Sequence, residues 1–364
     1  MKCSVVILNW NGEAMLRQFL PLVLEHTQLL DVEIVVADNG STDNSLNYLA
    51  TQPVRIIKFE ENYGFAGGYN RAIDQVDSEY TVLLNSDVEV TPSWLDCMLE
   101  YMDAHPETLA AQPKVLSWNS KQQFDKGEVA AIRFEHAGAA GGMIDILGYP
   151  YCRGRFMSYV EDDYGQYDEL APIFWATGAC LLVRTRVYKG LGGLDANFFA
   201  HQEEIDFCWR IHNAAYLPST ARRAIYHLQG SARSTASASI VCLPEAVIYH
   251  VGGATLGYEN PRKTFLNFRN NLLMLHKNLP KSRLWWVMLV RFFMDYLAAL
   301  QMLFTKQLPN AKAVFQARYT YHKMKKQYQS TNHSRGCNVD NESASELIAH
   351  RSIVWDFYVR GKKK

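Results

Sequence analysis

Three apolar stretches of the sequence are each followed by polar side chains whose oxygen atoms could bind a ligand or a metal. They are Asn9 after the first stretch, Asp38 and Asn39 after the second, and Asn85 and Asp87 after the third. Amide and carboxylate oxygens accept hydrogen bonds from a ribose or a base, and hard cations such as Mg²⁺ and Mn²⁺ prefer them as ligands. Because Asn85 and Asp87 are two residues apart, an extended chain points both to the same side.

These stretches belong to a regular alternation of strand and helix patterns. Unbroken apolar runs predict strands at residues 3–8, 32–37, 54–59 and 80–84, and helical patterns lie between them. Unbroken rather than alternating runs are typical of a mostly parallel sheet with helices on both faces. Ligands of such α/β sheets bind beyond the carboxyl ends of the strands, so we expect the three polar ends to meet in one cleft.

The first turn argues against one class of nucleotide enzyme. An acid placed like Asp38 also occurs in dinucleotide-binding folds, or it simply closes a turn and caps a helix. Residues 9–12 read Asn-Trp-Asn-Gly instead of G-x-G-x-x-G, and without those glycines the backbone cannot approach a pyrophosphate closely. A nicotinamide-dependent enzyme is therefore disfavoured.

A glycine-rich segment at residues 62–70 leads into a predicted helix. It contains Asn62, Gly64, Gly67 and Asn70. Because a helix N-terminus offers free N–H groups and glycine permits close approach, the segment could cradle a phosphate. The alternative is that the glycines serve only a tight strand-to-helix turn.

A predicted helix over residues 203–214 supplies further acids. Asp206 and Arg210 are four residues apart and are expected to pair, and Glu203 can join them from the preceding turn. Glu204 then points elsewhere and is the carboxylate left free to face a cleft. Solvated helix charges are the alternative interpretation of this pattern.

Taken together and in order, these motifs resemble the family 2 glycosyltransferases with the GT-A fold, and most closely their rhamnosyltransferase-like branch, which acts in polysaccharide assembly. The resemblance covers residues 1–280. The motifs are Val-Val-Ile-Leu-Asn-Trp-Asn-Gly, Val-Val-Ala-Asp-Asn-Gly-Ser-Thr-Asp, Asn-Tyr-Gly-Phe-Ala-Gly-Gly-Tyr-Asn, Leu-Leu-Asn-Ser-Asp-Val, Trp-Ala-Thr-Gly-Ala, Gly-Leu-Asp, Phe-Phe-Ala-His-Gln-Glu-Glu-Ile-Asp, Tyr-His-Val-Gly-Gly and Asn-Phe-Arg-Asn-Asn.

The resemblance implies roles in binding the donor and a metal. Asp38 would contact the nucleoside, and Asp87 would hold Mg²⁺ or Mn²⁺ on the diphosphate. Asn85 takes the first position of the family's D-x-D motif, where Asn replaces Asp. The donor site as a whole would comprise Asn9, Asp38, Asn39, Asn62, Gly64, Gly67, Asn70 and Asn85.

The resemblance also implies the residues of the catalytic step. Glu204 matches the catalytic base of the family's E-D motif, which reads Glu-Glu here, and would take the proton of the acceptor hydroxyl in an inverting displacement. His250 matches a residue that helps to bind metal or diphosphate. His227, in a similar upstream segment, is its rival, but the Gly-Gly after His250 favours His250.

The implied function is transfer of a sugar from a nucleoside-diphosphate sugar, dTDP-rhamnose or a UDP-sugar, to a hydroxyl of a saccharide acceptor, which a lipid could carry. Two alternatives stay open. A sugar-1-phosphate nucleotidyltransferase also uses an α/β sheet and Mg²⁺, although residues 9–12 lack the basic residues to hold a triphosphate. A catalytically impaired nucleotide-sugar-binding or scaffold protein would keep the fold, with Asn85 and Glu204 as its altered motif positions.

Composition and cysteine usage narrow the setting. The 37 basic and 37 acidic residues balance, so the overall charge gives no reason to expect nucleic acid as a partner. Seven scattered cysteines show no disulfide pattern, and the first residues do not read as a signal peptide. We therefore expect a cytoplasmic protein that could sit peripherally on the inner face of the membrane.

The sequence predicts three regions. They are a catalytic domain at residues 1–260 with an insertion at 217–240, a helical extension at 261–329, and a polar and basic tail at 330–364. Within the extension, residues 284–304 predict one amphipathic helix, with Arg291 and Asp295 on its polar side. Such a helix packs on the catalytic domain or lies on a membrane surface.

Overall fold

The computed structural model describes residues 1–213, 240–252, 260–328 and 347–362, so the predicted insertion and His227 lie outside it, except for Ile240. The strands are β1 (Cys3–Asn9), β2 (Val32–Asp38), β3 (Arg55–Lys58), β4 (Tyr80–Asn85), β5 (Val88–Val90), β6 (Ala110–Ser117), β7 (Gly142–Asp145), β8 (Pro150–Cys152), β9 (Arg155–Phe156), β10 (Tyr159–Val160), β11 (Ala171–Pro172), β12 (Cys180–Arg184), β13 (Ile240–His250) and β14 (Ile348–Ala349).

Helices connect and cover these strands. They are α1 (Glu13–Glu25), α2 (Ser45–Leu49), α3 (Gly64–Ile73), α4 (Trp94–Ala104), α5 (Trp118–Asp125), α6 (Thr185–Gly190), α7 (Glu203–His212), α8 (Pro261–Asn278), α9 (Lys281–Phe304), α10 (Leu308–Met324) and α11 (Ile353–Tyr358), with 3₁₀ turns at Ala196–Phe198 and Lys325–Tyr328.

The main sheet has the order β11-β13-β6-β12-β4-β1-β2-β3, and β5 pairs with β13. Strands β3, β2, β1 and β4 are parallel neighbours, and β13 is parallel to β6. Strand β12 runs antiparallel between β4 and β6. The predicted mostly parallel sheet, and the predicted strand and helix alternation that builds it, are confirmed.

Side chains of the central strands alternate between two cores, one on each face of the sheet. Val6, Val35 and Leu83 face the core that includes α3 and α8. The neighbouring Val5 and Val36 face the core that includes α1 and α4. Because both faces are covered by helices, the strands read as unbroken apolar runs in the sequence.

A second, five-stranded sheet has the order β10-β9-β8-β7-β14. Strand β14 comes from the end of the chain and pairs in parallel with β7. The Ile353 N–H donates to Asp145 Oδ2 at 3.0 Å, and the side chains of Ile348 and Ile353 are buried. Residues 347–362 of the region predicted as a polar tail are therefore attached to the small sheet.

Helix α9, which the amphipathic pattern predicts, turns its polar side toward the rest of the protein. Its buried stripe consists of Val287, Arg291, Asp295 and Ala299. Asp295 accepts hydrogen bonds from Arg291 Nε at 3.3 Å and from Arg318 of α10. Arg291 also donates to the carbonyl of Leu147, at 3.2 Å, and to the side chain of Asn271. The polar residues are therefore the ones that attach α9.

Replacing Asp295 would leave Arg291 and Arg318 buried without their shared carboxylate. We expect Asp295→Ala to lower the free energy of unfolding by about 3–5 kcal/mol, because removing one partner of a buried ion pair strands the other charge. Urea titration followed by circular dichroism measures the change. In the control Asp31→Ala, at a side chain 69% exposed, the loss should stay below about 0.5 kcal/mol. A similarly small loss for Asp295→Ala would contradict a stabilising role of the network.

Candidate active site

The register of the central strands brings the three predicted polar ends to one edge of the sheet. Asn9 lies opposite Asp38 in the β1–β2 pair, and Leu8 lies opposite Asn85 in the β1–β4 pair. The expectation that the strand ends meet in one place is confirmed, because parallel strands in register end on the same side.

At β1 and β2 this edge forms a buried, hydrogen-bonded turn. Asn9 Nδ2 donates to Asp38 Oδ2 at 3.0 Å and to Ser41 Oγ at 3.2 Å, and Asp38 Oδ1 accepts from the Ser41 N–H at 3.0 Å. Asn9 Oδ1 is buried and accepts no hydrogen bond from the residues described. Since a carboxylate also has lone pairs to spare, this turn offers acceptors for a ribose hydroxyl or a base N–H.

The glycine-rich segment does not present its first amides to a ligand. The Gly64 N–H donates to Asn62 Oδ1 at 2.8 Å, and the N–H groups of Phe65 and Ala66 donate to the Phe199 carbonyl at 2.7 and 3.3 Å. Gly64 makes this possible, because its φ is +73° and a Cβ there would lie 2.6 Å from the Phe199 ring. The structure therefore differs from the predicted phosphate cradle.

Asn39, Gly67 and Asn70 take part in the same internal packing. Asn39 fastens the end of β2 to the glycine-rich segment through three hydrogen bonds of 3.1 Å. Asn70 Oδ1 accepts from the Tyr188 hydroxyl at 2.7 Å and from the Leu194 N–H at 2.9 Å, and its Nδ2 donates to the Leu194 carbonyl at 2.8 Å. A Cβ on Gly67 would lie 3.2 Å from the Cβ of Tyr63, so a larger residue at this position would be tightly packed. The side chains of Asn39 and Asn70 therefore bond to other parts of the protein and support the site structurally.

At β4 the edge joins Asn85 and Asp87 to His250. His250 Nε2 lies 3.2 Å from Asp87 Oδ1 and 3.4 Å from Asn85 Nδ2. The histidine stands at the end of β13, where it is paired opposite Val88 of β5. Three residues from distant parts of the sequence, all predicted for metal and diphosphate binding, are thus brought together.

Asp87 and His250 stabilise each other's charged forms. Burial raises the pKa of Asp87, but the charge of His250 and the hydrogen bond from His250 together lower it by more. The pKa of Asp87 is therefore below its ordinary value. Burial lowers the pKa of His250, but the charge of Asp87, the hydrogen bond that the imidazolium donates to Asp87, and the charge of Glu135 raise that pKa above its ordinary value. The ligand-free pair therefore favours a carboxylate beside an imidazolium.

Glu135 is a site residue that the sequence patterns do not reveal. Its Oε1 lies 3.9 Å from His250 Nδ1, and within the described ranges this Nδ1 has no hydrogen-bond partner. Glu135 lies in the irregular stretch between α5 and β7, so neither a strand end nor a periodic pattern marks it. Its negative charge adds to the field of Asp87 at the histidine.

The chemistry of these side chains fits a hard divalent cation such as Mg²⁺ or Mn²⁺. Asp87 offers a carboxylate oxygen and His250 an imidazole nitrogen, 3.2 Å apart, so both can coordinate one ion. Ions of this kind at phosphate sites use one or two carboxylates and take their other ligands from phosphates and water. In the part of the chain that the structure describes, no group of three or more His, Cys, Asp or Glu forms a metal-binding cluster.

Glu204 lies in the first turn of α7 with a free carboxylate oxygen. Its Oε2 is buried and has no hydrogen-bond partner among the residues described. Burial raises the pKa of Glu204 to about 7, although neighbouring backbone amides lower it in part. A general base works best when its pKa lies near the working pH, so Glu204 has the properties of a base at neutral pH.

Backbone contacts link Glu204 to the metal-binding end. The Asn85 N–H donates to the Ala179 carbonyl at 3.0 Å, beside the loop that precedes β12. A Cβ built on the adjacent Gly178 would lie 3.9 Å from Glu204 Cβ. The edge of β4 and the start of α7 therefore flank the same short loop.

The predicted ion pair between Asp206 and Arg210 of α7 is present, but the third residue of its network differs from the prediction. Arg210 Nε donates to Asp206 Oδ2 at 2.9 Å, and Lys277 of α8 donates to the same oxygen at 2.8 Å. Glu203 was expected to join this network, but its Oε2 is buried without a hydrogen bond in the described residues. Burial and the charge of Glu204 raise the pKa of Glu203 well above its ordinary value. The third member of the network is therefore Lys277 of α8 and not Glu203.

A strained loop carries the chain into α7. Phe199, His201 and Gln202 have φ angles of +65°, +70° and +74°, in a region that residues other than glycine rarely adopt. Asn270 of α8 donates from Nδ2 to three carbonyls of this loop, at 2.7–3.0 Å. The asparagine therefore fixes the conformation that places Glu204.

The neighbours of Asn270 complete this support. Arg269 Nη2 donates to two carbonyls of the same loop at 2.9 and 3.1 Å, and Asn271 Nδ2 donates to Gln202 Oε1 at 3.1 Å. The Asn-Phe-Arg-Asn-Asn motif ends in three consecutive polar residues in the middle of a helix, which is the available signal. The sequence does not show which loop they contact.

The first part of the chain is similar to a known protein family. The family model described as Glycosyl transferase family 2 matches residues 4–161. The chain is 27% identical over 252 residues to the O-antigen biosynthesis protein RfbC of Myxococcus xanthus, which covers 67% of this chain but 18% of that protein. It is 25% identical over 226 residues to the N-acetylglucosaminyl-diphospho-decaprenol L-rhamnosyltransferase of Mycobacterium tuberculosis, covering 58% of this chain and 71% of that one.

Solved structures share the fold. GalNAc-T7 with UDP, GalNAc and Mn²⁺ gives a TM-score of 0.52 at 12% identity, covering 91% of this chain and 57% of that one. TarS 1-349 of S. aureus in complex with UDP-GlcNAc gives 0.50 at 15% identity, covering 94% and 95%. At such identities the likeness establishes the fold alone, and that fold is the expected GT-A fold.

Asn270 tests how the loop before Glu204 is held. We expect Asn270→Ala to lower the free energy of unfolding by about 1–3 kcal/mol, because buried carbonyls lose their donor. Urea titration measures this, and Asn47→Ala, at an exposed helical position, is the matched control with a change within about 0.5 kcal/mol. If both variants unfold at the same urea concentration as the unchanged protein, the three hydrogen bonds do not hold the loop.

Proposed function

Because residues 4–161 match the model of the family 2 glycosyltransferases, we propose that this chain moves a sugar from a nucleoside-diphosphate donor to a hydroxyl of a saccharide acceptor, with inversion at the anomeric carbon. The observation that carries the proposal is the buried, unpartnered oxygen of Glu204. Glu204 lies beside the Gly178–Ala179 loop, which is hydrogen-bonded to the end of β4 that precedes Asp87. The Glu204 carboxylate is suited to removing a proton, and the Asp87–His250 pair is suited to binding a metal-bound diphosphate.

The donor is assigned to the sheet edge. The buried turn of Asn9, Asp38 and Ser41 supplies acceptors for the nucleoside, and Asp87 with His250 lies one strand further along for the diphosphate. The L-rhamnosyltransferase relative favours dTDP-rhamnose as the donor, and a UDP-sugar is the other candidate.

The reaction is a single displacement. As the acceptor oxygen forms its bond to the anomeric carbon, Glu204 Oε2 takes the hydroxyl proton, and the bond from that carbon to the diphosphate breaks. General-base catalysis of this kind contributes about 10²–10⁴-fold. A bound Mg²⁺ or Mn²⁺, held by Asp87 and His250, would neutralise negative charge on the departing diphosphate. Asn85 Nδ2 lies 3.4 Å from His250 Nε2, at the margin of this pair.

The acceptor is proposed to be a lipid-linked saccharide of cell-surface polysaccharide assembly. The Mycobacterium tuberculosis relative is named for an acceptor carried on diphospho-decaprenol, and the Myxococcus xanthus relative is named for O-antigen biosynthesis. Such an acceptor would place the reaction at the cytoplasmic face of a membrane.

Nucleotide binding tests the donor site. We expect one of UDP, dTDP and GDP to bind in isothermal titration calorimetry when Mn²⁺ is present, and to bind at least about tenfold more weakly without it. Asp87→Ala should abolish the Mn²⁺ dependence because it removes the carboxylate ligand.

Asp77→Ala serves as the control for this titration. Asp77 is exposed and precedes the start of β4, whereas the site lies beyond the end of that strand. It should bind as the unchanged protein does. Absence of binding for all three diphosphates under every condition would overturn the transferase proposal and leave a scaffold role instead.

The proposed base predicts a pH dependence. Below a pH of about 7 the Glu204 carboxyl is protonated and cannot accept a proton, so kcat/KM should rise with pH and level off above that value. Glu204→Gln should lower kcat by about 10²-fold or more while nucleotide binding persists. Transfer to a saccharide acceptor at varied pH measures both.

Glu128→Gln is the matched control, because Glu128 is exposed. Its rate and pH profile should equal those of the unchanged protein. A pH profile in Glu204→Gln with the same rise as the original would show that another group titrates, and Glu204 would not be the base.

A further inference from the structure

The C-terminal helices expose an apolar surface that no other part of the described chain matches. We call it the outer face; eleven large hydrophobic side chains of α9 and α10 form it, each 41–80% exposed. They are Trp285, Leu289, Phe292, Phe293, Leu297, Leu300, Leu303, Phe304, Leu308, Phe315 and Tyr319. Isolated exposed hydrophobic residues are ordinary, but a contiguous patch of this kind marks an interaction site.

Contacts between the rings make the outer face continuous across both helices. Phe292 packs edge-on against Phe293 at 5.4 Å and against Tyr296 at 4.8 Å, and Tyr296 contacts Phe315 of α10 at 5.1 Å. A groove lined in part by Leu303 and other outer-face residues extends the surface along α10. The patch is therefore one surface.

The composition of the outer face suits lipid better than protein. Between residues 284 and 300, every side chain that is exposed or half-buried is apolar or aromatic. Protein interfaces carry about one hydrogen bond per 100–200 Å² and a polar rim, which this stretch does not offer. Trp and Tyr side chains at its margins are typical of the boundary between water and membrane.

Charge is divided between the two parts of the chain. Residues 261–328 contain thirteen Lys and Arg and a single acid, the buried Asp295, for a formal charge of +12. Residues 1–260 contain 18 basic and 32 acidic residues, for a formal charge of −14. An anionic surface therefore attracts the helices and repels the catalytic part, and the balanced total of the whole chain conceals this.

We infer that the outer face docks on an anionic lipid bilayer, with α9 lying in the plane of the surface. A second copy of the chain is the less suitable occupant, because symmetric pairing of this face would oppose two regions of charge +12. Exposed Lys281, Lys306, Lys312 and Lys323 adjoin the apolar residues, where they can contact lipid headgroups.

Helix α9 is by length and composition able to cross a bilayer, but its attachments to the rest of the protein favour a position on the membrane surface. Arg291 and Asp295, at mid-helix, are bonded to Asn271 and Arg318, so the inner side of α9 is fastened to the protein at its centre. Crossing the membrane would break these bonds and expose the charges to lipid. A helix with one side on protein and the other apolar lies at the interface.

Vesicle co-sedimentation of the full chain tests this inference. We expect binding to phosphatidylcholine vesicles that contain phosphatidylserine, weaker binding at high salt, and little binding to phosphatidylcholine alone. Phe293→Asp with Leu297→Asp should weaken binding by about tenfold or more, because charges replace apolar residues at the surface. Phe124→Asp with Tyr164→Asp is the control, since these residues are 43% and 73% exposed on the catalytic part, and it should bind normally.

Three results would overturn the inference. They are absence of binding to both vesicle types, equal binding by the Phe293→Asp, Leu297→Asp variant, and a dimer in light scattering that this variant dissociates, which would make the outer face a contact between copies. The vesicles contain neither donor nor acceptor, so failure to dock is separate from failure to bind nucleotide. Circular dichroism of each variant checks that the fold is retained.

Discussion

The parallel pairing of β1 with β2 and β4 is the constraint on which the rest of the structure depends. It sets Asn9 opposite Asp38 of β2, and it sets Asn85 of β4 opposite Leu8, the residue before Asn9. A slip of one residue would exchange the two faces, sending Val6 from the α3 side to the α1 side. Burial of both faces therefore fixes the register, and the register fixes the sheet edge at which the polar residues meet.

The site combines this rigid edge with a loop that other elements hold in an unfavourable conformation. Pairing with Val88 fixes His250 in the sheet, and Asp87 lies in the short turn between β4 and β5, where its carbonyl accepts from the Val251 N–H at 3.1 Å. Glu204 follows a loop with three positive φ angles, which persists because Asn270 satisfies three of its carbonyls. Strain of this kind is retained where surrounding contacts over-determine the backbone.

Helix α8 connects the loop to the outer face. Asn270 contacts the loop, while the adjacent Asn271 accepts from Arg291 of α9 and donates to Gln202. The same helix therefore supports both the proposed base and the proposed docking surface. Since Arg291 and Asp295 are used for attachment, the apolar residues of α9 are left outside, which reverses the usual arrangement of a helix on a soluble protein.

The sequence by itself determined the strand and helix alternation, the mostly parallel sheet and the meeting of Asn9, Asp38 and Asn85, because unbroken apolar runs and strand ends are local signals. It also marked Glu204 and His250, but through family resemblance. Tertiary structure decided that the amides near Gly64 hold Phe199. Likewise, Glu135 approaches His250, and the polar side of α9 faces inward. These outcomes depend on contacts between residues far apart in the chain, and periodicity carries no information about which partner a polar side chain will meet.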